Sequence, residues 1–97
     1  MRRVVITGLG LVTPLGVGIK NNWDRLINSE SGINPITSFN VDDIPAKIAG
    51  QVPVGETADG NFNVYYYVVS KEQRRNDTFI LYGMAAAQMA IEDSGWL

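Results

Sequence analysis

The chain has no cysteine and no histidine among its 97 residues. That removes thiol nucleophiles, imidazole bases, thiolate and imidazole metal ligands, and any disulfide. A dominant charge of one sign is missing too. Eight Lys and Arg stand against ten Asp and Glu, interspersed, for a net charge of −2. Such a balance gives no broad surface for nucleic acid or for an anionic membrane. Long apolar runs are also absent. Val4-Val5-Ile6, behind Arg2-Arg3, stops at Thr7-Gly8, well short of a signal-peptide core or a membrane span. The expectation is a cytoplasmic protein that binds neither nucleic acid nor membrane.

What the chain does have is apolar content. At 45% hydrophobic it is too apolar to be disordered, and its length allows one core at most. A domain of this size buries only about two-thirds of the surface its unfolded chain exposes, so its stability margin is thin.

Residues 3–7, β-branched and nearly all apolar, predict a short strand buried on both faces of a sheet. A glycine-rich turn follows over residues 8–18, with Pro14 biasing Val12-Thr13 toward extended geometry. Ile19, Trp23, Leu26 and Ile27 fall at the spacing of one helical face, predicting a helix over about residues 19–29, ended by Ser31-Gly32 and followed by a loop. Residues 46–52 alternate as a strand does, up to Pro53. Residues 55–61 are polar and turn-rich, a flexible loop.

The uncharged stretch Val64-Tyr65-Tyr66-Tyr67-Val68-Val69 is either an extra strand or an aggregation-prone patch by its composition. Ser70-Lys71-Glu72-Gln73 matches a capping box. Asp77 suits a second helix start, with Ile80, Met84, Ala87 and Ile91 as its apolar stripe and Gly95 as its stop. Gly83 and the run Met84-Ala85-Ala86-Ala87 give this helix a smooth side that lets another backbone approach. The order strand, helix, strand, long helix defines an α/β chain.

Four features invite chemistry. Gly8-x-Gly10 after a strand resembles a dinucleotide-binding turn, but Thr13 stands where the third glycine belongs and Pro14 follows, so a plain turn is the better reading. Lys71, Arg74 and Arg75 cluster near a helix start, a positive face for an acidic partner, although such runs are usually solvated surface. Trp23, Phe79 and Tyr82 sit among aliphatic residues at helical spacing, which favours a core role over a ligand box. Asp42-Asp43 and Glu92-Asp93 are adjacent pairs whose side chains diverge, unsuited to a catalytic dyad.

The ordered segments Arg2 to Gly16, Ser31-Gly32-Ile33, Ile48-Ala49-Gly50, Lys71-Glu72-Gln73-Arg74-Arg75, Asp77-Thr78-Phe79-Ile80 and Glu92-Asp93-Ser94-Gly95 closely resemble the β-ketoacyl-acyl-carrier-protein synthase II family. The resemblance spans nearly the whole chain and implies a partial thiolase-like fold, residues 1–97 forming the N-terminal part of one α/β half and hence an incomplete domain. It implies a homodimeric enzyme of fatty-acid elongation that joins malonyl to acyl groups on acyl carrier protein by decarboxylative Claisen condensation, with no cofactor and no metal. In that family a cysteine takes the acyl group and two histidines assist. None is present here, so no catalytic residue is assigned and the chain alone is expected to be inactive.

The family's basic docking patch for acyl carrier protein matches Lys71, Arg74 and Arg75. The alternative is a non-catalytic module that binds carrier protein or synthase. Residues 65–69 depart from the family, whose members usually carry a more polar stretch with a proline there. An exposed, sticky patch is the expectation for them.

Overall fold

Proline and glycine turn the opening of the chain back on itself. In the computed structural model, which describes residues 1–96, a two-residue strand β1 (Val12–Thr13) pairs antiparallel with β2 (Gly16–Val17) around Pro14-Leu15. Gly16 sits at φ 131°, in a region that favours glycine, and a Cβ there would stand 2.7 Å from the Gly60 carbonyl oxygen. Val17 N–H donates to that same carbonyl at 2.9 Å, tying the hairpin to the middle of the chain.

Helix α1 (Ile19–Ile27) follows, close to its expected span. It is joined to the hairpin by polar groups. Asn22 is buried, its amide donating to the carbonyls of Gly16 (3.1 Å) and Gly18 (2.7 Å) while its Oδ1 accepts from the Thr13 hydroxyl. Arg25 donates to the Leu15 carbonyl and, at 2.8 Å, to that of Asp59. The apolar stripe Ile19, Trp23, Leu26 and Ile27 faces outward instead. The helix ends at Asn28, and the left-handed residue after it is Ser29 (φ 62°), not Gly32.

The expected loop after α1 contains a strand, β3 (Ile33–Pro35), paired antiparallel with β4 (Ile48–Gly50). Pro35 is compatible with an edge strand. Gln51 steadies this hairpin by accepting from the amides of Thr37 (3.2 Å) and Ser38 (3.1 Å) and donating to the Pro35 carbonyl (3.3 Å). A 3-10 turn (Thr57–Asp59) occupies the polar loop, and Val54 bridges to Phe62.

Residues 64–69 form no strand, and of the two expectations it is the exposed apolar patch that the structure shows, with Tyr65, Tyr66 and Val69 open to solvent. Asn63 Oδ1 accepts from the Tyr65 amide at 3.1 Å and starts a single helical turn, α2 (Val64–Tyr67), since one side-chain cap suffices to satisfy an orphan amide. α3 (Ser70–Gln73) follows with Val69, not Ser70, at its N-cap, so the capping box does not form. Gln73 donates instead to the Val68 carbonyl at 2.8 Å. Helix α4 (Thr78–Ser94) begins after Asp77 and stops at Gly95 in the left-handed region (φ 70°), both as the sequence predicts, although Asp77 makes no side-chain cap bond.

The core gathers where these pieces meet. Phe62, 3% exposed, stacks on Tyr67 at 5.8 Å and meets Tyr82 in a T-shaped contact at 4.9 Å, beside buried Val17 and Ala85 with Leu81 and Met89 packed around them. The stripe Ile80, Met84, Ala87 and Ile91 is therefore on the outer side of α4, and Trp23 and Phe79 are exposed rather than core residues.

The predicted strand at residues 3–7 is not formed. Val4, Val5 and Ile6 are 93%, 73% and 80% exposed, and no segment among the described residues pairs with them. A parallel central strand needs hydrogen-bonding neighbours on both edges and cover on both faces, and none is offered here. The arm instead runs beside α4. A Cβ on Gly8 would stand 2.2 Å from the Ala90 carbonyl oxygen, and one on Gly10 2.0 Å from that of Ala86, so the small-residue side of the helix does admit another backbone. The chain is thus a mixed structure of helices and short antiparallel strands. No helix of the described residues is long and apolar enough to cross a membrane.

Candidate functional site: a basic helical turn

Lys71, Arg74 and Arg75 lie within one helical turn and the hydrogen-bonded turn that follows it, all exposed. Three polar contacts hold this segment. Gln73 anchors its start to Val68, the Arg75 amide donates to the Glu72 carbonyl at 3.1 Å, and Asn76 Nδ2 donates to that carbonyl at 2.8 Å. α3 ends at Gln73, Arg74 keeps right-handed helical dihedrals (φ −73°, ψ −23°), and Arg75 follows in a hydrogen-bonded turn. Its guanidinium lies 3.7 Å from Glu72, a solvent-exposed pair worth about 0–1 kcal/mol and free to exchange for another carboxylate.

The other candidates have structural duties or none. Gly8 and Gly10 turn their missing side chains toward α4 and form no phosphate cradle, the intervening Leu9 amide donating to Asp93 Oδ2 at 3.0 Å. Glu92 accepts from Gln88 at 3.2 Å, and Asp42 and Asp43 are exposed. A cleft of about 890 Å³ between the β3–β4 hairpin and the start of α4 is lined by Thr37, Ser38, Gln51, Pro53, Thr78 and Tyr82 among others, with no charged side chain in its wall. It offers hydroxyls and amides but no group to act as a base toward them. Among the described residues no three carboxylates gather as metal ligands would.

Two polar residues that organise the fold escaped the sequence reading. Asn22 and Arg25 look like the wet side of an amphipathic helix, yet they hold the hairpin. The available signal was a pair of asparagines in a helical first turn just after a glycine, since asparagine side chains compete for nearby backbone groups.

The chain belongs to the family described as beta-ketoacyl synthase, N-terminal domain, whose family model matches residues 1–97. It is 51% identical over 96 residues to a 3-oxoacyl-acyl-carrier-protein synthase 2 of Rhizobium meliloti (strain 1021), a match covering 99% of this chain and 23% of that protein. A putative mitochondrial 3-oxoacyl-acyl-carrier-protein synthase of Schizosaccharomyces pombe is 43% identical, over all of this chain and 23% of its own length. The synthase 2 of Coxiella burnetii is 39% identical over 97% of this chain and 21% of its own. The chain therefore spans less than a quarter of the length of these relatives.

Proposed function

We propose that residues 1–97 form the N-terminal part of a β-ketoacyl synthase N-terminal domain of thiolase-like fold, within a homodimeric enzyme that condenses malonyl and acyl groups carried on acyl carrier protein. Within it, Lys71, Arg74 and Arg75 dock the acidic carrier. The observation that carries this docking role is the exposure of all three cations on one braced turn, in a chain whose relatives are named for acyl carrier protein. Condensation of this type needs a nucleophile to hold the acyl group and donors to stabilise an oxyanion. With no cysteine or histidine in its sequence, this chain contributes framework and docking rather than the reacting groups.

Titration with acyl carrier protein tests the docking role. Reversing Arg74 and Arg75 to Glu should weaken binding by roughly tenfold or more, and added salt should weaken the wild type as well. Unchanged affinity removes the turn from consideration. The chain alone should give no condensation product. The absent cysteine and histidine also favour a second reading, a non-catalytic module, which would be selected by carrier binding with no condensation even when the remainder of a related synthase is supplied.

A further inference from the structure

Beside the basic turn lies an apolar ledge that a purely electrostatic docking site does not require. Tyr65, Tyr66 and Val69 are 75%, 68% and 68% exposed, immediately before Lys71 in the chain. They are not loose. The Tyr66 ring rests edge-on against Tyr67 with centroids 5.0 Å apart, and Tyr67 is in turn stacked on buried Phe62. The α2 turn that carries both tyrosines is capped by Asn63.

The ledge and the cations are also fixed relative to each other. Between them Val68 is buried, its amide bonded to Val64 at 2.9 Å and its carbonyl to Gln73 at 2.8 Å, so α2 and α3 are clamped to the two sides of one core residue. A braced aromatic ring loses little freedom when a partner covers it, which is why such rings make efficient anchors. Exposed rings beside clustered cations are complementary to carboxylates flanking an apolar ridge.

We propose that Tyr65, Tyr66 and Val69 form the dry half of a two-part docking surface, and that its occupant is an acidic carrier protein that presents apolar side chains between its carboxylates. The complementarity lies in charge, three cations against one carboxylate over residues 71–75, and in the apolar ledge next to them. The inference rests on the docking role proposed above for Lys71, Arg74 and Arg75, and it adds the feature that tells such a carrier from any other polyanion.

The experiment measures binding of the full chain to holo acyl carrier protein and to a polyglutamate peptide, each over a range of salt. Tyr65→Ser with Tyr66→Ser should weaken carrier binding about three- to tenfold while leaving its salt dependence and the peptide affinity unchanged. Tyr65→Phe with Tyr66→Phe keeps the rings and should bind like wild type. Val69→Ser, away from the rings, should weaken carrier binding alone, which guards against a folding defect in the tyrosine variant. If the serine variants bind carrier as wild type does while R74E/R75E does not, the ledge is overturned and the basic turn stands. If R74E/R75E also binds as wild type does, both are overturned.

Discussion

The arm formed by residues 1–10 meets α4 only because two of its residues lack side chains, and Gly10→Ala measures how much that closeness matters. An ideal Cβ at Gly10 would lie 2.0 Å from the Ala86 carbonyl oxygen and 2.9 Å from both the Ala90 nitrogen and Met89 Cβ. Non-bonded heavy atoms rest at about 3.5 Å, so the arm must move outward by roughly 1.5 Å. The Leu9 to Asp93 hydrogen bond, 3.0 Å long and one residue away, then stretches beyond bonding range. Overpacking of this kind costs about 1–3 kcal/mol. The lower half of that range applies, because residues 1–7 are exposed and the arm can lift without disturbing the core.

The assay is amide hydrogen exchange at Leu9, which reports opening of the arm independently of global unfolding. Gly10→Ala should accelerate exchange there about 5- to 30-fold, the equivalent of about 1–2 kcal/mol. Gly8→Ala should act alike, its Cβ falling 2.2 Å from the Ala90 carbonyl oxygen. The double variant should exchange hardly faster than the stronger single one, since a lifted arm has no second contact left to lose. Gly83→Ala is the control. Nothing lies within 4 Å of its Cβ, and alanine there should leave Leu9 unaffected while favouring the helix by about 0.5–1 kcal/mol. Unchanged exchange at Leu9 in Gly10→Ala, or full additivity of the two glycine effects, refutes the reasoning.

Asn22→Leu keeps the branched shape but removes the hub of the hairpin, and should cost about 2–4 kcal/mol from the lost bonds and stranded carbonyls, read as a lowered denaturant midpoint; a loss under about 0.5 kcal/mol contradicts the structure. Tyr67 and Tyr82 carry hydroxyls whose pKa burial pushes above the ordinary value near 10, with Tyr66 and Glu92 adding to the rise at Tyr67. The fold thus favours the neutral phenols, a contribution fully present below about pH 10 and lost as pH rises through the raised values. Tyr67→Phe should delete a late step from the tyrosinate absorbance titration, and an unaltered alkaline limb would speak against that burial.

Local signals carried the sequence reading furthest. The limits of α4 could be read from Asp77 and Gly95, and the start of α1 from the apolar spacing that begins at Ile19, because each depends on a few neighbouring residues. The basic turn was readable as three cations in five residues. Its geometry was not, since the segment is held by the Gln73 and Asn76 side chains bonding to the carbonyls of Val68 and Glu72, which the spacing of the cations does not encode. Residues 64–69 misled for a related reason. Their composition favours strands, but strand propensity expresses itself only beside a partner, and Asn63 offered a helical cap at once.

The larger misreadings share one cause. Periodicity identifies which side of a helix wants to be covered, and it does not say by what. In α1 the stripe with Trp23, Leu26 and Ile27 is exposed while buried Asn22 holds the hairpin, and in α4 the stripe with Ile80, Met84 and Ile91 is exposed while Ala85 and Leu81 meet the core. Val4-Val5-Ile6 repeats the pattern for a strand. A surface that leaves three such stripes open to water forgoes about 25 cal/mol for every Å² of apolar area it fails to bury. Covering surfaces complementary to all three, a strand on either side of the arm and packing against both helices, are what the proposed placement within a larger synthase domain would supply. The β-branched run at residues 3–7 thus states a preference for a strand, and its exposure here shows that preference unmet, because no segment among the described residues pairs with it.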